Sequence, residues 1–105
     1  MEQRIPPQNV EAEQAVLGAM LLSHDAVIVA MEKLQPRDFY RDAHRIIFEA
    51  MEHLHRENKE IDVITLPEEL NRMKKMDDVG GGGYVLNLPN MVGTASNAEY
   101  YANIV

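Results

Sequence analysis

Apolar residues recur at helical spacing through most of this chain. The first stretch has apolar side chains at i, i+3, i+4, i+7 and i+8, namely Ala12, Ala15, Val16, Ala19 and Met20. This spacing is typical of an amphipathic helix. Leu17, Leu21 and Leu22 widen the apolar stripe beyond one face, which predicts that the first helix is central to the fold.

A second and a third helix follow from the same spacing. Ser23 is suited to cap a helix that carries Val27, Ala30, Met31 and Leu34 and that Pro36 stops. The first two helices therefore form an αα-hairpin with a tight turn. The longest helix is predicted over Asp42 to Arg56, with an apolar stripe made of Ala43, Ile46, Ile47, Ala50, Met51 and Leu54.

The second half of the chain predicts three further helices. The segment 61–64 is short and rich in β-branched residues, which favours an extended conformation. Thr65 and Glu68 form a capping-box pattern for a fourth helix that carries Leu66, Leu70 and Met73. The run Gly80 to Gly83 opens a short fifth helix, Tyr84 to Leu88, that Pro89 ends. Thr94 is suited to cap a sixth helix that carries Ala98, Tyr101, Ala102 and Val105.

The predicted fold is all-α, a compact bundle of about six short helices around one core. Residues 1–9 are predicted as an extended N-terminal arm, held by Pro6 and Pro7, with Asn9 as the cap of the first helix. Residues 10–105 are predicted as one helical head domain, because 105 residues suffice for a single core. The last residues keep a helical pattern without a C-cap glycine, so we expect the chain to continue.

Charge and composition narrow the class of function. The formal net charge is −7, from 10 basic and 17 acidic residues, which argues against electrostatic capture of DNA. No cysteine is present, so disulfides and thiolate zinc sites are excluded, as suits a cytoplasmic protein. No apolar run approaches the roughly 20 residues that cross a membrane, and no signal peptide is recognised.

Two motifs invite a site, and each has a more ordinary interpretation. The glycines at 80–83 suggest a phosphate-binding loop, but no Gly-Lys-Ser/Thr follows them, which favours a flexible helix entrance. His24, His44, His53 and His55 suggest a metal site, but their spacing is poor for ligands on a helix. We expect His53 to pair with Glu49 and His44 to be a hydrogen-bonded packing residue.

The remaining polar residues do not predict catalysis. Adjacent carboxylates at Asp77-Asp78 and Glu68-Glu69 diverge or lie in a loop, and nothing raises their pKa. The hydroxyl groups are better explained as caps and turn residues: Ser23, Thr65, Thr94 and Ser96. We therefore predict no catalytic, cofactor-binding or metal-binding residue, while the partner-binding residues stay unknown. Met31 and Met51 are expected in the core, and Met76 and Met91, near helix ends, are open to either burial or partner contact.

Five blocks, in order, resemble one family. The first is residues 4–19, RIPPQNVEAEQAVLGA, and the second, residues 38–48, joins Asp-Phe-Tyr-Arg to Ala-His and Ile-Phe. The others are residues 62–65, 79–84 and 94–105. Together they resemble the N-terminal domain of bacterial replicative DNA helicases of the DnaB family. Gly82, Gly83 and Pro89 depart from the family pattern and leave the length of the fifth helix open.

The resemblance implies a collar domain of a hexameric helicase. Its expected work is subunit assembly, as a dimer or a trimer of dimers within a hexamer, and docking of primase, with a helicase loader as a further partner. The parent would unwind duplex DNA with ATP and Mg in a C-terminal domain, and the helical hairpin and ATPase of that parent have no counterpart in this chain. The chain alone is then no enzyme and contacts DNA only through the motor.

Two other interpretations stay open from the sequence. The chain is alternatively a self-contained helical adaptor between proteins that is never attached to a motor. An enzyme that uses the glycine run or the histidines comes third. Within the helicase interpretation, we expect Tyr101 to anchor the last helix to the core.

Overall fold

Five α-helices and three short 3-10 turns make up the part of the fold that the structure describes. The computed structural model describes residues 7–91 and residue 105, with side chains from residue 9 onwards. The helices are α1 (Pro7–Leu22), α2 (His24–Lys33), α3 (Asp42–Arg56), α4 (Thr65–Arg72) and α5 (Gly81–Asn87), and the 3-10 turns span Pro36–Asp38, Asp77–Val79 and Leu88–Met91. No strand occurs in the described residues. The all-α prediction is confirmed, and the predicted sixth helix, with Thr94 and Tyr101, lies outside the described residues.

Helix α1 begins earlier than predicted. Its first residue is Pro7, two positions before Asn9, and proline is favoured there because its missing N–H would have no partner in the first turn. The predicted cap at Asn9 is therefore wrong, and residues 7–9 are helical rather than part of an extended arm. Residues 1–6 lie outside the described part of the chain, so the division into arm and head stays a prediction.

Helix α1 is the centre of the core, as its wide apolar stripe predicted. Ala15, Val16, Leu17, Ala19 and Met20 are all buried. The helix packs against α2, α3 and above all the turn Leu88–Met91. With 16 residues against 15 in α3, it is also the longest helix, so the prediction that α3 is the longest is wrong.

The contact between α1 and the turn Leu88–Met91 depends on Gly18. A Cβ atom at this position would lie 2.2 Å from the carbonyl oxygen of Leu88 and 2.9 Å from its carbonyl carbon. Both distances are far below van der Waals contact. Only glycine lets the two backbones approach this closely.

Helices α2 and α3 have the predicted bounds. Ser23 is the N-cap of α2, and its Oγ accepts a hydrogen bond from the Ala26 N–H at 3.3 Å. The helix ends at Lys33, before Pro36. On α3 the predicted stripe faces the core at Ile47, Ala50, Met51 and Leu54, while Ala43 and Ile46 are half-buried against it.

Residues 61–64 do not form the predicted extended segment. They form a turn in which the Asp62 Oδ1 accepts the N–H groups of Ile64 and Thr65, at 2.8 and 2.9 Å. The Thr65 hydroxyl donates to the Glu60 carbonyl oxygen at 2.8 Å. Asp62 thus supplies the cap that the sequence pattern assigned to Thr65 and Glu68, because a carboxylate at the start of a helix can accept its unpaired N–H groups.

This turn carries a testable prediction. Asp62→Ala is expected to lower the free energy of unfolding by about 1–2 kcal/mol, since two N–H groups at the start of α4 lose their acceptor. The matched control is Glu68→Ala, which removes an exposed carboxylate from the same helix end and is expected to cost only a few tenths of a kcal/mol. Urea unfolding followed by circular dichroism measures both. Equal losses in the two variants would contradict the assignment of Asp62 as the cap.

The glycine run is part of α5 rather than an entrance to it. Gly80 has φ +100° and caps the helix, and Gly81 to Gly83 form its first turn. The helix ends at Asn87, and Pro89 lies within the following 3-10 turn instead of ending α5. The predicted helix, Tyr84 to Leu88, therefore starts three residues later than α5 does in the structure.

The methionines line the core. Met51 is fully buried, and Met31 packs against the core half-buried, which confirms the prediction for both. Met73, Met76 and Met91 are also half-buried against the core. Their thioether chains fill the edges of the core, where a flexible side chain fits irregular gaps.

Candidate protein interaction surface

A buried polar cluster joins α1, α3 and α5. Glu13 on α1 is 2% exposed and His44 on α3 is fully buried, and their Oε1 and Nδ1 atoms are 2.6 Å apart. The Nε2 of His44 lies 2.6 Å from the Tyr84 hydroxyl on α5, and the Gln14 amide donates to the same hydroxyl at 3.1 Å. Three helices distant in sequence therefore share one hydrogen-bond network.

The donors and acceptors of this network balance. His44 donates from Nδ1 to the Glu13 carboxylate, and the Tyr84 hydroxyl donates to Nε2 of His44 while it accepts from Gln14. The second Glu13 oxygen accepts the Tyr40 N–H at 2.6 Å. Among the described residues, no buried side-chain nitrogen or oxygen lacks a hydrogen-bond partner. The cluster is thus a satisfied structural network.

The sequence predicted one member of this cluster and missed another. His44 was expected as a hydrogen-bonded packing residue, and the structure confirms it. Glu13 was not among the expected residues, yet its side chain is buried. The available signal was its position between Ala12 and Ala15, inside the apolar stripe, where an acidic residue requires a partner.

The Glu13 carboxylate also fixes a surface loop. Tyr40 gives its N–H to Glu13, and its carbonyl oxygen accepts from the Arg45 guanidinium at 2.8 Å. Arg45 also donates to the Phe39 carbonyl oxygen at 2.8 Å. The Phe39 ring is buried against Phe48, with ring centroids 5.1 Å apart. The backbone of Tyr40 is therefore held at both ends while its side chain remains 55% exposed.

Two exposed arginines lie close to Tyr40 in the sequence. Arg37 and Arg41 are both exposed, and neither forms an ion pair with any residue in the described ranges. The nearby acids are already engaged: Asp38 accepts the Gln35 N–H, and Asp42 accepts from Arg45. Exposed tyrosine and arginine side chains are the residue types that often dominate protein interfaces.

A cleft opens beside Arg41. It has a volume of about 360 Å³ and is lined by Arg41, Ala43, Asp77, Asp78, Val79, Gly80 and Tyr84. Both aspartates are exposed. The cleft therefore presents one guanidinium and two carboxylates around an apolar floor.

The predicted histidine candidates are spread over the surface and the core. His24 and His55 line a second groove of about 260 Å³ between α2 and the end of α3. His53 pairs with Glu57 at 3.1 Å, one turn after His53, instead of with Glu49, one turn before it, so that prediction is wrong. Within residues 7–91, no three histidine, cysteine, aspartate or glutamate side chains are placed to hold a metal ion.

The other predicted candidates have structural roles where they are described. Glu68 is exposed, whereas Glu69 is buried and bonds to Arg72. The Arg72 guanidinium lowers the pKa of Glu69, in line with the expectation that this pair has no raised pKa. Ser23 is a cap and Thr65 a turn residue, as expected, while Thr94 and Ser96 lie outside the described residues.

The carboxylates give the fold an acid-sensitive stability. Hydrogen bonds lower the pKa of Glu69 and of Asp62, whereas burial raises the pKa of Glu52. A lowered pKa contributes stability that is present above the ordinary values, 4.5 for Glu69 and 3.8 for Asp62, and that is lost as pH falls through the folded pKa. Glu52, whose pKa is raised, changes the pH dependence of stability in the opposite direction, but it is one carboxyl group against two.

We therefore expect the free energy of unfolding to fall between about pH 5 and pH 3. Urea unfolding at a series of pH values measures it, and Glu69→Gln is expected to flatten the dependence. Glu68→Gln, one residue away and exposed, is the control and should keep the dependence of the parent. Stability that rose or stayed level on acidification would refute the prediction.

Comparison with known proteins places the whole chain. The profile of the family described as DnaB-like helicase N terminal domain matches residues 5–105. The Replicative DNA helicase DnaB of Geobacillus stearothermophilus is 47% identical over 98% of this chain. The Replicative DNA helicase DnaC of Bacillus subtilis is 46% identical over the full chain. The chain spans 23% of the length of each of these relatives.

A solved structure shows the same fold. The crystal structure of the N-terminal domain of DnaB helicase from Mycobacterium tuberculosis matches with a TM-score of 0.90 at 44% identity, over 95% of this chain and 71% of that one. Among the described residues, no helix is both long and apolar enough to cross a bilayer.

Proposed function

This chain belongs to the family of DnaB-like helicase N-terminal domains, and on that premise we propose that it is the N-terminal head of a hexameric replicative DNA helicase. Its work is assembly of the subunits into a collar and docking of primase during DNA replication. The head acts by binding other proteins, and a helicase loader is a second partner of its surface.

One observation carries the proposal. The chain aligns over its whole length with relatives named as replicative DNA helicases, at 46–47% identity, and fills 23% of their length. Such a match leaves most of each relative beyond the aligned region. We therefore propose that a C-terminal motor domain of the parent protein binds ATP, Mg and DNA. The parent protein is proposed to act in the cytoplasm.

The surface chemistry supports recognition. The buried polar groups satisfy one another, so the cluster around His44 has no free donor or acceptor to give to a substrate. The exposed features are the Tyr40 side chain, two arginines that form no ion pair with any described residue, and clefts beside α2 and α5. Tyrosine and arginine are enriched among residues that dominate binding between proteins.

The net charge of −7 supports passage of DNA without adhesion. Affinity for nucleic acid depends on Lys and Arg that displace counterions, and this chain has an excess of acids. The isolated chain is expected to bind single-stranded DNA weakly. Tight, salt-sensitive binding would contradict this part of the proposal.

Titration of the purified chain with the cognate primase, followed by calorimetry, tests the docking role. Saturable binding would support it, and its absence, with the chain shown to be folded, would count against it.

Determination of the native reading frame tests whether the parent protein carries a motor domain. A downstream Gly-x-x-x-x-Gly-Lys-Ser/Thr motif supports a motor, whereas a stop codon soon after Val105 would favour the alternative, a self-contained helical adaptor between proteins.

A further inference from the structure

The cleft beside Arg41 has two walls that are distant in the sequence. One wall is the start of α3 with Arg41, and the other is the segment 77–84. Tyr40, directly before Arg41, gives its N–H to the buried Glu13 at 2.6 Å. The hydroxyl of Tyr84, at the end of the second wall, belongs to the same hydrogen-bond network. Both walls are therefore bonded to one buried polar cluster.

We propose that Glu13 and His44 are positioning residues that couple the two walls, so that withdrawal of the Tyr84 hydroxyl from the network also releases the backbone of Tyr40. Three hydrogen bonds in series make the connection. They join the Tyr40 N–H to one Glu13 oxygen, the other Glu13 oxygen to Nδ1 of His44, and Nε2 of His44 to the Tyr84 hydroxyl, each at 2.6 Å. The coupling is a property of the head alone and requires none of the partners proposed above.

Each of these bonds depends on its neighbours. When the Tyr84 hydroxyl donates to Nε2 of His44, it polarises the imidazole ring and makes the Nδ1–H a stronger donor to Glu13. Because His44 is fully buried and Glu13 nearly so, the low local dielectric strengthens this effect. The His44 ring also stacks on the Tyr84 ring, with centroids 6.0 Å apart and planes at 13°. A movement of Tyr84 therefore disturbs His44, and through it the carboxyl group that holds Tyr40.

The wall that carries Tyr84 is the one with room to move. Gly81 to Gly83 form the first turn of α5, and a Cβ atom at each would meet nothing within 4 Å. The Tyr84 side chain itself is half-buried at the edge of the core. The Tyr40 loop is held more firmly, because Arg45 donates to its carbonyl oxygen at 2.8 Å. A displacement therefore starts at Tyr84 and is passed to Tyr40.

Native-state hydrogen exchange, measured by NMR on the 105-residue chain, tests the coupling. Tyr84→Phe keeps the ring and removes only the hydroxyl, which is three hydrogen bonds away from the Tyr40 amide. We expect this variant to raise the exchange rate of the Tyr40 amide at least about fivefold relative to the Ala30 amide. Ala30 lies in the interior of α2 and reports any general loss of stability.

Two control variants separate coupling from simple destabilisation. Leu86→Ala changes an exposed side chain on α5 itself and leaves the Tyr84 hydroxyl in place. Ile61→Val removes one buried carbon just before α4, so it weakens the core without removing any member of the network. Both are expected to keep the ratio of Tyr40 to Ala30 exchange within about twofold of the parent.

A double-variant cycle tests the path itself. Glu13→Gln alters the middle of the series, so in that background Tyr84→Phe is expected to change the exchange of the Tyr40 amide by less than about twofold. Glu11→Gln, which changes an exposed carboxylate on the same helix, provides the matched background. There Tyr84→Phe is expected to keep its effect of at least about fivefold.

The outcomes are distinct. A preferential rise at Tyr40 in Tyr84→Phe that disappears in the Glu13→Gln background supports the coupling. An unchanged ratio in Tyr84→Phe overturns it, as does an equal rise in Leu86→Ala or the full effect of Tyr84→Phe in the Glu13→Gln background. If Glu13→Gln fails to fold, the comparison of Tyr84→Phe with its two controls decides alone.

Discussion

Gly18→Ala is expected to lower the free energy of unfolding by about 2–3 kcal/mol, although alanine is the better helix former by about 1 kcal/mol. The reason is the approach of α1 to the turn Leu88–Met91, where the new Cβ would lie 2.2 Å from the Leu88 carbonyl oxygen. The obstacle is backbone, so no side-chain rotation relieves it. Thermal and urea unfolding of the purified variant measure the loss.

The glycine run supplies a matched control. Gly83 lies in α5, and a Cβ there would meet nothing within 4 Å. Gly83→Ala is therefore expected to stabilise the chain by about 0.5–1 kcal/mol, because alanine loses less backbone entropy on folding. If Gly18→Ala proved as stable as the parent, α1 and the turn would have to separate at little cost, and the close packing between them would be refuted.

His44→Ala is expected to cost about 3–5 kcal/mol, the largest loss among the polar substitutions of this fold. It leaves the buried Glu13 carboxyl group without its hydrogen-bond partner, and it takes the acceptor from the Tyr84 hydroxyl. A cavity of the size of the imidazole ring adds to the loss. Urea unfolding measures this loss of stability where the variant folds. Where the variant does not fold fully, hydrogen exchange of the α1 amides reports the loss.

Two variants separate the contributions at this cluster. Tyr84→Phe keeps the ring and removes only the hydroxyl, so we expect about 1–2 kcal/mol. Glu11→Gln removes an exposed carboxylate one helical half-turn from Glu13 and is expected to change stability by less than about 0.5 kcal/mol. A His44→Ala loss no larger than that of Tyr84→Phe would show that Glu13 finds water or another donor, against the network described above.

Helices α2 and α3 were predictable because several local signals agree there. In α2, Ser23 caps, the apolar period is regular, and Pro36 prevents continuation, so each end has its own physical cause. In α3, the stripe through Ile47, Met51 and Leu54 needs only one buried face. Where the apolar period, the cap and the stop signal all indicate the same helix, tertiary packing changes its ends little.

The sequence was a poorer guide where packing overrides local preference. Glycines at 81–83 are weak helix formers, yet they form the first turn of α5 because Tyr84, Val85 and Leu88 anchor that segment to the core. At residues 61–64 the β-branched side chains favour extension, but the Asp62 carboxylate turns the chain into α4. One hydrogen-bonding side chain outweighs three residue preferences there.

The interaction surface was the least predictable feature. A tyrosine in sequence gives no sign of whether its ring is buried, and Phe39, the residue directly before Tyr40, is fully buried. The exposure of Tyr40 follows from two tertiary contacts, with Glu13 on α1 and Arg45 on α3. The cleft beside it combines α3 with residues 77–84, which only the folded chain brings together.

The close approach of α1 to the turn Leu88–Met91 also has a consequence for protein synthesis. Helix α1 has its main contacts with a turn some 70 residues later, and the Gln14 to Tyr84 hydrogen bond has a sequence separation of 70. Loop closure over that length is required before these contacts can form. The part of α1 that packs against this turn therefore stays uncovered until Leu88 has been translated and released from the exit tunnel, so that completion of this core waits for that segment.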